Sequence, residues 1–92
     1  MTNLDKAIDR IKVLECPTGE LEERIVNIFE DYRVANRNEV IVKRDEGSDK
    51  DDLEAYRIEF TKGKEGPILV FAKAGMDDYV VKVFKVKPFI NK

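Results

Sequence analysis

The sequence predicts an α+β fold, a two-layer sandwich in which two N-terminal helices pack on a four-stranded antiparallel meander in the order ααββββ. Three observations lead there. Apolar residues recur at helical spacing through Tyr32, the period changes to two from Glu39 onward, and the later segments are joined by links short enough for hairpins. With 92 residues the chain is expected to form one domain, 1–92, because a second core would not fit.

The first helix begins at a capping box. Thr2 supplies a hydroxyl at the cap and Asp5 a carboxylate three residues on. Leu4, Ala7, Ile8, Ile11 and Leu14 then form one apolar stripe. Pro17 lacks an amide proton and restrains Cys16 before it, which predicts that the helix stops near Glu15. Thr18 is placed to cap a second helix. Glu20, Glu22 and Glu23 favour the positive end of that helix, and Glu20 stands one turn from Arg24. Leu21, Ile25, Ile28, Phe29 and Tyr32 form its stripe. Asn36 and Asn38 are the expected terminators.

The strands follow. Val40-Ile41-Val42 is short. In Leu53–Thr61, Tyr56, Ile58 and Phe60 alternate with Arg57, Glu59 and Thr61, the pattern of a strand with one buried and one wet face. Segment 62–66 turns the chain into a third strand, Ile68–Lys73, and 74–78 turns it into a fourth, Tyr79–Lys87, which Pro88 ends.

Composition narrows the chemistry. Hydrophobic residues make up 42% and charged residues 39%, with both signs mixed and a net charge of −2. Such a chain folds around a core rather than staying disordered. Histidine is absent, which removes the commonest general base and the commonest metal ligand. A lone cysteine cannot form an internal disulfide, no apolar run approaches membrane length, and Met1–Lys12 lacks a signal-peptide core. The expectation is a soluble, cytoplasmic protein with no membrane association.

No motif carries a reaction. The stretch Asp45-Glu46-Gly47-Ser48-Asp49-Lys50-Asp51-Asp52 fails the calcium-loop pattern in both registers, since Leu53 or Gly47 falls where a ligand is required. It reads as a solvated, mobile, metal-free hairpin loop. Segment 62–67 contains Gly and Lys without phosphate-loop spacing. Cys16 has acidic neighbours and no histidine to lower its pKa. Adjacent carboxylates such as Glu22-Glu23 and Asp77-Asp78 lie where solvated charge is ordinary. No catalytic residue, cofactor or metal ligand is assigned, and the chain is not expected to be an enzyme. Chemistry would instead require a concave site holding Tyr32, Tyr56 or Tyr79 beside a buried carboxylate.

The C-terminal hairpin is the exception to this blandness. Strict alternation puts Leu69 and Phe71 opposite Ile68, Val70 and Ala72, and Val81 and Val83 opposite Val80, Phe84 and Val86. A hairpin apolar on both faces needs cover on the second one. Leu69, Phe71, Val81 and Val83 are therefore the candidate protein interface, for another protein or a homodimer. The alternative covers are a helix on each face or the tail Pro88-Phe89-Ile90. A second candidate surface is basic. Lys82, Lys85 and Lys87, with Lys73 and Phe84 nearby, are the candidate nucleic-acid contacts. Lysine as a guard on an edge strand is the preferred explanation, and a nucleic-acid partner is not expected. The leading expectation is a non-catalytic protein-binding or self-assembly module.

Overall fold

The computed structural model describes residues 2–62, 66–76 and 79–87. Its elements run α1 (Asn3–Lys12), β1 (Glu15–Pro17), α2 (Leu21–Asp31), β2 (Val40–Arg44), β3 (Glu54–Phe60), β4 (Ile68–Ala74) and β5 (Val80–Lys87). One antiparallel sheet has the strand order β1-β5-β4-β3-β2. The class is α+β, and the meander from β2 to β5 is present.

The strand count differs from expectation. Segment 15–17, read as a break, is a three-residue edge strand in which Glu15, Cys16 and Pro17 face Lys82, Val81 and Val80. Pro17 is tolerated because an edge strand has one side that needs no ladder bond. Among the described residues the order is thus αβαββββ, with five strands.

Helix boundaries follow local chemistry. At α1 the capping box forms: Thr2 Oγ1 accepts from Asp5 N–H at 3.1 Å, and Thr2 N–H donates to Asp5 Oδ2 at 3.3 Å. The helix ends at Lys12, one turn earlier than Pro17 implied. The N-cap of α2 is Glu20 rather than Thr18, and Glu20 pairs with Arg24 at 3.0 Å. Gly19, at φ +94°, makes the bend between Thr18 and that N-cap. The far end closes at Arg33, not at the asparagines. Arg33 takes φ +58°, its N–H reaches Glu30 O at 3.0 Å, and Val34 N–H reaches Phe29 O at 2.9 Å. That pair of bonds is a Schellman closure with arginine where glycine is usual. Asn36 instead opens a 3-10 turn, Arg37–Glu39, where its N–H donates to Glu39 Oε1 at 3.1 Å.

Both helices lie on one face of the sheet. Ala7, Ile8 and Ile11 of α1 and Leu21, Ile25, Ile28 and Phe29 of α2 share a core with Cys16, Val40, Ile58, Ile68, Val70, Ala72, Val81, Val83 and Val86. Leu4 is half-buried at its margin. Phe29 is fully buried and meets Phe60 edge to face, with ring centroids 5.2 Å apart. The other face carries a smaller cluster, Ala55, Leu69 and Phe71 with Leu53 against it, and neither helix contributes to it.

Candidate functional site

The C-terminal hairpin contains a β-bulge that decides what the open face of the sheet displays. Ala72 faces Val83 and Phe71 faces Lys85, so Phe84 is an extra residue in β5. The bulge shifts the alternation by one. Val81, Val83 and Val86 all turn toward the helices, at 4%, 1% and 8% exposure. Lys82, Lys85 and Lys87 all turn the other way, as the cross-strand partners of Lys73, Phe71 and Leu69.

This arrangement corrects the apolar patch. Val81 and Val83 do not share a face with Leu69 and Phe71; they belong to the main core. Leu69 and Phe71 do lie on the second face, but they are 9% and 4% exposed. Their cover includes Leu53, from the end of the β2–β3 loop. Lys50, Asp51, Leu53, Phe71, Lys85 and Lys87 line a small recess there, where lysine stems border the apolar cluster and the ammonium groups stay in water. The tail Pro88-Phe89-Ile90 lies outside the described residues.

The loop beside this recess carries its own set of hydrogen bonds. Arg44 and Asp49 form a two-bonded pair, and Asp49 Oδ1 also accepts Ala55 N–H at 2.8 Å. Those bonds hold the Asp49 carboxyl at a pKa of about 2, with the Arg44 hydrogen bond as the leading cause and the Ala55 amide next. Glu46–Ser48 form a 3-10 turn, and Ser48 Oγ donates to Asp45 Oδ2 at 2.9 Å. Lys50 and Leu53 then close a tight turn through Asp51 and Asp52, at φ +53° and +65°.

Charge divides the open face into two halves. On β2 and β3, Lys43 Nζ and Arg57 Nε both meet Glu59 Oε1, at 3.0 and 3.1 Å, and the Lys43 bond leads in lowering the Glu59 pKa. On β4 and β5, Lys73, Lys82, Lys85 and Lys87 make no ion pair among the described residues. Phe84 stands beside them at 57% exposure, with Lys82 Nζ 5.8 Å from its ring centroid. The three lysines singled out from sequence are therefore brought together, joined by Lys73. Phe84 gains its place through the bulge. Its signal was present in the sequence: lysines at 82, 85 and 87 and valines at 81, 83 and 86 break phase at the same point.

Edge protection explains this row only in part. β1 pairs with residues 80–82 of β5, leaving Lys85 and Lys87 on a stretch without a described outer neighbour. Lys73 lies in β4, an interior strand, and Lys82 is flanked by Glu15 of β1. Those two positions have no edge to guard.

Elsewhere, Tyr56 lines a cleft of about 180 Å³ with Thr18, Gly19, Leu21, Glu22, Glu54, Ala74 and Val81. Its hydroxyl donates to Glu54 Oε2 at 3.2 Å, and burial is the first cause of its raised pKa, with Glu54 next. No charged side chain among the described residues is buried. The cleft thus has the tyrosine but not the buried carboxylate that general acid–base chemistry would pair with it. Cys16 is buried in β1, and burial pushes its thiol pKa up, against the opposing pull of Arg24. Among the described residues no group of three or more potential metal ligands occurs, and no helix is long and apolar enough to cross a membrane. No protein family, curated protein or solved structure matches the chain.

Proposed function

We propose that the chain is a non-catalytic binding module that works through the open face of its C-terminal hairpin, and that its partner is negatively charged. One observation carries this reading: four lysines that make no ion pair among the described residues crowd one side of two neighbouring strands in a protein whose net charge is −2. Like charges directly opposite, as at Lys73 and Lys82, destabilise a sheet. A polyanion removes that repulsion on binding.

Self-assembly through the same face is the weaker reading. A two-fold dimer would set lysines against lysines, and the apolar residues that would drive it are covered within the chain.

Retention on heparin at low ionic strength tests the proposal. The wild type should be held, and Lys73→Glu with Lys85→Glu should abolish retention. Lys6→Glu with Lys12→Glu, which changes charge equally on α1, should not. Equal behaviour of the two variants, or no retention of the wild type, would count against the module.

A further inference from the structure

We infer that the anionic partner of this face is a single-stranded nucleic acid, held by phosphate contacts to Lys73, Lys82, Lys85 and Lys87 and by a base stacked on Phe84. The inference rests on the binding-module reading and specifies its partner.

The first argument is what the face lacks. A stable protein interface is centred on buried apolar anchors, and lysine is depleted from its core. Here the apolar anchors, Leu69 and Phe71, are already covered within the chain, while lysine dominates the surface above them. Point charges on flexible stems suit phosphates better than they suit a protein core.

The second argument is Phe84. It is the extra residue of the bulge, so the ladder on either side would be continuous without it. It fills no core position and is 57% exposed in the midst of the lysine row. Lys82 Nζ lies 5.8 Å from its ring centroid, so a phosphate bound there would bring a base beside the exposed ring. Every base has a π-face, so such a platform tolerates many sequences. A duplex keeps its bases stacked on one another, and an open sheet face suits the unstacked bases of a single strand.

Fluorescence anisotropy with a labelled oligothymidylate of about 15 nucleotides tests this, a length near the upper end of one small domain's footprint. Four lysine–phosphate contacts predict that log K falls with log salt at a slope of about −3, and each Lys→Gln change should reduce the slope by about 0.7. Phe84→Ala should weaken binding about 10-fold or more and leave the salt slope unchanged. A duplex of equal length and a polyglutamate peptide serve as competitors. Equal binding of the duplex would overturn the stacking contact. Polyglutamate competing as well as the oligonucleotide would overturn the nucleic-acid assignment and leave the module standing. No oligonucleotide binding by a protein that heparin retains would do the same, whereas loss of heparin retention as well removes both readings. Circular dichroism on each variant ensures that a lost signal is read only from folded protein.

Discussion

Arg44 and Asp49 face each other across five residues of chain through two parallel hydrogen bonds, Nη1 to Oδ1 at 2.6 Å and Nη2 to Oδ2 at 2.8 Å. Arg44 Nη1 also donates to Ala55 O at 3.0 Å, which fastens the loop to the start of β3. Both side chains are about a third exposed, so their attraction is screened, and the value of the pair is geometric more than energetic. Asp49 titrates at about 2 when folded, below its ordinary 3.8. A lowered folded pKa contributes stability above the unfolded value and loses it as pH falls toward the folded one. The loop should therefore hold its form at neutral pH and loosen between about pH 4 and pH 2. Amide exchange at Ala55 followed through that window checks this, with Asp49→Asn expected to abolish the pH dependence. Protection that stays flat down to pH 2 would remove the pair from the account.

Among the described residues three non-glycines occupy left-handed backbone: Arg33, Asp51 and Asp52. That conformation costs an L-residue about 1 kcal/mol, which glycine avoids. Arg33→Gly and Asp52→Gly should each raise stability by up to about 1 kcal/mol in urea denaturation. Asp52→Ala should not. A loss of stability in both glycine variants would mean that the side chains make contacts worth more than the strain.

Ile25 is fully buried where α2 meets the sheet. Truncation to alanine leaves a cavity, and Ile25→Ala should cost about 2–5 kcal/mol. Ile41→Ala, at a half-exposed position on the edge strand, should cost under about 1 kcal/mol. Similar midpoints for the two variants would contradict the packing of α2.

Deletion of Phe84 offers a sharper test of the bulge than substitution. Without it β5 alternates regularly, with Val81, Val83 and Val86 inward and Lys82, Lys85 and Lys87 outward. The deletion should fold, with cross-strand contacts from Lys82 to Lys73 and from Lys85 to Phe71 retained in nuclear Overhauser spectra. An unfolded product would show that the extra residue serves the sheet itself.

Much of this architecture was legible in the chain, and the exceptions have physical causes. The stripes of α1 and α2 repeat over two to three turns, long enough for a period to stand out, and the alternation of β3 spans seven residues. β1 has three residues, too few for any period, and Pro17 argues against a strand unless the strand is known to lie at an edge. The hydrogen bonds of the loop after β2 depend on one arginine side chain reaching across it, which no local pattern of charge reveals. Val81 and Val83 were put on the wrong side because a count by twos assumes an unbroken strand. The lysine row needed no such assumption about burial, and its members still met on one face.

β1 and β5 lie near opposite ends of the sequence and side by side in the sheet, with Cys16 across from Val81. β1 precedes β5 by more than sixty residues, so during synthesis it has no ladder to join until β5 has left the ribosome. The meander β2–β5 is built from neighbouring segments and can assemble locally, so docking of β1 closes the sheet last. Cys16 therefore stays on an unpaired segment until β5 is made, and is enclosed when β1 docks. The thiol is thus more open to an oxidant on the nascent chain than after the sheet has closed.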